Sequence, residues 1–253
     1  MRIRKFALIT ILSAMVLAVG GCSVSVNTNG NDDYNTDKNN AAISETKNET
    51  KEIELKGAQN VKTKIDFGVG KLNLKGGADK LMKAEFTYNV PSWKPIVDYN
   101  VNGTQGNLVI KQPSNTKSVN SNVKYEWNVS LNSSIPMDIN AELGVGNSNF
   151  DLSNVNIKNA DIKIGVGNMD LYLCGDYKSD VTAAIEGGVG STDIYLPKNM
   201  GVKIKADKGV GKIRADGFIL NGDEYVNEAY GKSKFNINLK IECGVGDINL
   251  KLK

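Results

Sequence analysis

The 253-residue chain contains no histidine, and only three cysteines, two tryptophans and five prolines. Without imidazole, Ser-His-Asp and Cys-His nucleophilic systems are excluded and the commonest zinc ligand is gone. No long segment places apolar residues at helical spacing, which excludes helical bundles and helical repeats. An excess of one charge sign is missing as well. The formal charge of +3 is carried by Arg2, Arg4 and Lys5, and the rest of the chain is balanced. A balanced chain offers no electrostatic footprint for nucleic acid.

Those basic residues open a leader. They precede an apolar stretch from Phe6 to Val19, which ends in Val19-Gly20-Gly21-Cys22. The stretch is shorter than the about 20 residues of a spanning helix, so residues 1–21 read as a secretory signal peptide. The closing tetrapeptide resembles the bacterial lipobox. That resemblance implies lipidation of Cys22 by a thioether-linked diacylglycerol and an amide-linked third chain, a combination that holds a protein on a membrane where one chain would not. The expected address is extracytoplasmic, at the cell membrane. Residues 22–50 are dominated by Asn, Asp, Thr, Ser and Lys and cannot bury enough surface to offset their ordering entropy, so they read as a disordered tether.

Beyond residue 50 a short phrase recurs. Gly-Val-Gly stands at Gly68-Val69-Gly70, Gly144-Val145-Gly146, Gly165-Val166-Gly167, Gly188-Val189-Gly190, Gly209-Val210-Gly211 and Gly244-Val245-Gly246. The last five begin 21, 23, 21 and 35 residues apart, the length of a β-solenoid coil. Before each phrase, apolar residues alternate with the parity of the valine, as in Ile162, Ile164 and Val166; after it the parity flips, as in Met169, Leu171 and Leu173. One residue has entered a period-two pattern. A strand keeps one face buried through such a slip only by bending, and glycine permits both the dihedrals and the close approach of a neighbouring backbone. Each phrase is therefore a corner between two strands, with its valine expected to point into the core.

The expected fold is all-β: a single-stranded, right-handed β-solenoid over residues 135–253, preceded by a smaller N-terminal β subdomain over 51–134. Within the latter, Ile96 to Asn102 and Asn107 to Lys111 flank a Gly-Thr-Gln-Gly turn, a hairpin signal. Residues 217–231 read as an excursion or cap.

At Phe67-Gly68-Val69-Gly70-Lys71-Leu72-Asn73-Leu74, at Trp127-Asn128-Val129-Ser130-Leu131-Asn132 followed by Ile135-Pro136, and in the recurrent Gly-Val-Gly endings, the sequence resembles the toast-rack or adhesin-type strand-repeat domains. These include the C-terminal domain of cell-wall-active-antibiotic response proteins. The resemblance covers residues 52–253. It implies a single-stranded β-helix outside the cytoplasmic membrane, often beside envelope-stress signalling modules, with no catalytic residues to carry over. The lipobox departs from the transmembrane helices of the stress-response proteins.

Other chemistry is weak. Gly68-Val69-Gly70 lacks the third glycine and the helix of a dinucleotide loop, and Gly187 to Asp193 has one residue too many for a calcium nonapeptide. Five residues after each corner's first glycine stand Asn73, Asn149, Asp170, Asp193, Arg214 and Asn249, on the parity opposite the core. Stacked coils would line them up about 4.8 Å apart, either as a solvated ladder with one Asp/Arg neighbour pair or as a glycan-contacting or glycan-cleaving face. Trp93, in a proline-flanked loop, packs on the core or offers a stacking platform; Trp127 belongs to the core. Cys243 has inward parity and Cys174 outward parity, so they should not bridge. The expectation is a non-enzymatic, lipid-anchored envelope protein without cofactor or metal. Its partners would be the membrane and an envelope protein or wall glycan; the alternatives are an adhesin or a polysaccharide-active β-helix enzyme.

Overall fold

The computed structural model describes residues 43–113 and 122–253, and Cys22 and the leader lie outside them. The first strands are β1 (Lys47–Ile53), β2 (Asn60–Ala78), β3 (Met82–Tyr88), β4 (Ile96–Asn102), β5 (Gln105–Lys111) and β6 (Tyr125–Asn132). Then come β7 (Met137–Asp151), β8 (Ile157–Val166), β9 (Met169–Tyr172), β10 (Val181–Val189), β11 (Thr192–Leu196), β12 (Gly201–Val210) and β13 (Ile213–Asp216). A short antiparallel pair, β14 (Ile219–Asn221) and β15 (Glu224–Val226), precedes the closing β16 (Asn236–Val245) and β17 (Ile248–Leu252). No α-helix occurs among the described residues. The fold is all-β and solenoid-like.

Every corner stacks on another in parallel register. Val69 pairs with Val145, Val145 with Val166, Val166 with Val189, Val189 with Val245, and Val245 with Val210. Spatial order therefore differs from chain order. The last coil, β16–β17, lies between β10–β11 and β12–β13. The inward columns follow the same stacking: Ile65, Ala141, Ile162, Ile185 and Ile241 are register neighbours and all at most 1% exposed. Each such isoleucine contributes about 1.5–3 kcal/mol by leaving water, and the alternating apolar sequence supplies one per strand to the same column.

Five of the six corner valines do not point inward, and only Val69 is half-buried against the core. Val145, Val166, Val189, Val210 and Val245 are between 46% and 66% exposed, whereas Ile164 just before a corner and Met169 just after it are buried. Period-two counting assumes that alternation continues through the corner. It does not, because the second glycine swings the chain: Gly167 has φ of 143°, in the region that disfavours any side chain. Backbone crowding adds to this, since a Cβ on Gly167 would lie inside the carbonyl oxygen of Gly146. At the first glycine the dihedral is ordinary, and only crowding demands glycine: a Cβ on Gly165 would sit 2.6 Å from the Gly144 carbonyl oxygen.

The two ends of the stack are closed differently. Beyond β2 no further corner exists among the described residues; β5 and β6 pair with its two halves, and the Gln112 side chain fills the vacant rung. Its Oε1 accepts from the Gly68 and Val69 amides at 2.8 and 3.1 Å, where a neighbouring coil would offer a backbone carbonyl. The expected hairpin is β4–β5, while β3 and then β1 extend the sheet from β6 in antiparallel fashion. β1 starts at Lys47, inside the segment assigned to the tether, because pairing with β3 orders a polar run that offers the core only Ile53. β2 lies in the 51–134 segment yet pairs with β7 along the coil register, so the ladder runs across residue 134. At the other end β15 and β14 cover the first half of β12, and the buried Asn227 amide ties this cap down through Val202 N, Pro197 O and Met200 O.

Trp93 is buried in a 3₁₀ turn at Pro91–Trp93, edge-on to Tyr125 at 5.4 Å, with its carbonyl accepting the Tyr125 hydroxyl at 2.7 Å. It is a core residue, not a platform. Trp127 is fully buried. Cys174 and Cys243 are free thiols, Cys243 buried and Cys174 half-buried.

Candidate functional site

The outward row predicted from the repeats exists. Asn73, Asn149, Asp170, Asp193, Asn249 and Arg214 are successive register neighbours, and Asn128 extends the row beyond Asn73. Asn73 Nδ2 donates to Asn128 Oδ1 at 2.7 Å, and Asn249 Nδ2 donates to Asp193 Oδ1 at 2.5 Å. The expected Asp193/Arg214 neighbour pair is absent, because the inserted last coil places Asn249 between them. Arg214 donates instead to Asp247 at 2.8 Å and Asn249 at 3.0 Å, and Lys251 holds Asp193 at 2.7 Å. Hydrogen bonding from Arg214 lowers the Asp247 pKa below its ordinary range, and hydrogen bonding to Asp193 raises that of Lys251. The carboxylates at this end are thus engaged with cations of their own scaffold.

Two residues further along each strand runs a second row that parity reasoning passed over. Lys75, Asp151, Tyr172, Tyr195, Lys251 and Asp216 are register neighbours in that order. The rings of Tyr172 and Tyr195 stack in parallel, 4.3 Å apart at 6°. Lys251 and Lys253 place their ammonium groups 4.9 and 4.7 Å from the Tyr195 ring, the arrangement that a ring quadrupole favours. Burial, then the hydrogen bond with Tyr195, raises the Tyr172 pKa. The signal was in the sequence: both tyrosines stand seven residues after a corner's first glycine. Tyr195 is covered on both sides, and Tyr172 has its second face on the side of the shorter Asp151.

Across the other outer face a shallow concavity of about 480 Å³ spans β5, β2, β7, β8 and β10, with Lys62, Lys64, Asp138, Asn140, Asp161 and Ala184 among its lining. It lacks an aromatic residue. Asn159 donates to Asp138 across neighbouring strands at 2.7 Å. Among the described residues, no group of acidic or cysteine side chains is disposed to hold a metal ion. No helix among them is long and apolar enough to cross a membrane. These surfaces can bind; none assembles a nucleophile with a base.

The family description "N-terminal domain of toast_rack" matches residues 42–195 of the chain, and "Cell wall-active antibiotics response LiaF, C-terminal" matches residues 141–250. No curated protein matches it. A crystal structure of a "putative cell adhesion protein" from Clostridium sporogenes ATCC 15579 is 47% identical, covers 83% of this chain and 100% of its own, and superposes with a TM-score of 0.80. A "putative adhesin" from Bacteroides fragilis NCTC 9343 is 10% identical, with coverage of 81% and 97% and a TM-score of 0.24. Another, from Parabacteroides distasonis ATCC 8503, is 16% identical, with coverage of 82% and 97% and a TM-score of 0.27.

Proposed function

We propose, from the premise that the chain belongs to the toast-rack family, that it is a non-enzymatic envelope protein, lipid-anchored through Cys22, whose rigid β-stack displays interaction surfaces outside the membrane. The stack itself carries this reading. Six corners repeat one backbone over buried inward columns such as Leu72, Ser148, Met169 and Thr192, while the charged side chains that change from coil to coil face outward. The pairing of Asp193 with Lys251 and of Asp247 with Arg214 argues against a polysaccharide-cleaving face, since a general acid or base must be free to exchange its proton. The partial match to the antibiotic-response domain favours a link to envelope stress, and the Clostridium sporogenes relative favours adhesion.

Replacing Cys22 by Ala should move the protein from the membrane fraction to the supernatant; unchanged retention would overturn the anchor. A second reading, glycan binding, is favoured by the second face of Tyr172 beside polar Asp151 and Asn149. Wall-glycan binding that Tyr172→Ala leaves unchanged would remove it.

A further inference from the structure

The corner ridge gathers most of the exposed large hydrophobic residues of the described surface. Five of the nine exposed large hydrophobic residues are its valines, in continuous register from Val145 to Val210, and half-buried Val69 prolongs it. At about 4.8 Å per rung the ridge is about 24 Å long. Glycines flank every valine, so neither chain neighbour carries a side chain beside it. Exposed β-branched residues repeating at strand spacing make the surface from which dry, interdigitated sheet contacts are built, and such a surface needs a partner with the same spacing.

We propose that this ridge docks on the ridge of a second copy of the chain, the two solenoids side by side and pointing the same way about a two-fold parallel to their axes. A second copy supplies the identical spacing, and one self-complementary patch is all that a two-fold interface requires. Charge selects the direction. On one side of the ridge, two residues before each first glycine, run Asp66, Glu142, Lys163, Glu186, Glu242 and Asp207 in spatial order. On the other side, after each second glycine, run Lys71, Asn147, Asn168, Ser191, Asp247 and Lys212.

In the parallel pair each row faces the other row at its own level. Asp66 then meets Lys71 of the second copy, Asp207 meets Lys212, and the middle levels set charges against Asn or Ser. One like-charge level remains, Glu242 against Asp247, and each of these is already held within its own chain by Lys240 or Arg214. In an antiparallel pair each row would face itself reversed, setting Asp66 against Asp207, Glu142 against Glu242 and Lys71 against Lys212, each twice, with only Lys163 against Glu186 opposite in sign. Like charges so placed oppose association. Asp207 and Lys212 make no ion pair within the described residues, so their meeting gives up none.

A ridge one valine wide buries less than the about 800 Å² per partner of a standard interface, so the pair is weak when free. Only its strength rests on the anchored reading: two copies held on one surface share the orientation and a high effective concentration.

The test uses the full chain with Cys174→Ser as parent. Val145→Cys and Val189→Cys are introduced separately and treated with a short bis-maleimide, in membranes and at high concentration in detergent. Each single variant should cross-link to itself, and adding Val166→Asp should cut the yield about fivefold or more. Cross-linking only when Val145→Cys and Val245→Cys chains are mixed would overturn the parallel arrangement. Absence of the dimer in both settings, or capture of a different protein at these positions, would overturn the self-pairing. A failed anchor would be seen separately, as protein in the supernatant whose cross-link persists in detergent.

Discussion

The glycine corners and the outward polar rows recur in every coil, yet they are held by different means. At a corner, backbone meets backbone: Gly146, Gly167, Gly190, Gly246 and Gly211 each bring their Cα against the carbonyl of the second glycine in the adjoining coil. In the rows, side chain meets side chain, and the partners change from amide to carboxylate to guanidinium along the stack. A requirement set by main-chain crowding allows one residue type and so repeats without variation. One met by exposed hydrogen bonds can be satisfied in many ways, and its residues drift.

The contrast predicts a graded set of effects. Gly167→Val should be the most damaging single change, because it combines a forbidden dihedral with a backbone clash; a loss of about 3 kcal/mol or more is expected in denaturant unfolding. Gly165→Val should follow at about 2 kcal/mol, since clash alone opposes it. If the order of these two reverses, neither dihedral strain nor backbone crowding, both greater at Gly167, governs the corner.

Gln112→Ala leaves the Gly68 and Val69 amides without their acceptor and should cost about 1–2 kcal/mol, measured in the same way. No change there would show that the stack does not need its end closed.

Arg214→Ala lies at the bottom of the scale. The ion pair with Asp247 is exposed and screened, so the thermal midpoint should stay within scatter at neutral pH. Its sign with pH is still defined. Asp247 has a lowered pKa in the folded state, so its contribution is present above the ordinary carboxylate value of 3.8 and is lost as pH falls through the lowered folded-state value. The wild-type and Arg214→Ala midpoints should therefore stay together into acid; a difference that opens as pH falls would mean that Arg214 acts other than through Asp247.

This grading also marks what could be read from the sequence. The corners were legible because their glycines answer a local backbone demand that repeats at fixed spacing. The outward row was legible because strand parity fixes the face of Asn73 or Asp193 once the corner is placed. The outward turn of the valines was not, since parity cannot be carried across a glycine whose φ is positive. Asn128 was missed because no corner precedes it, and Gln112 because a lone amide carries no period. The Tyr172/Tyr195 stack was within reach of the same counting, two positions further on. The Asp193/Arg214 pairing failed for another reason: coil length sets how far apart repeats lie along the chain, not which coil settles next to which.

That insertion bears on how the molecule can be assembled. The coil at 201–216 borders the stack only through the strands that begin at Asn236, so it has no parallel neighbour until the last residues of the chain arrive. A chain emerging from its N-terminus can zip the coils from β7 to β11 in sequence, but must then hold the coil at 201–216 in reserve until β16 pairs with both β10 and β12. Early termination is accordingly asymmetric in its damage: a stop codon before Asn236 removes one coil from the sequence and two from the fold.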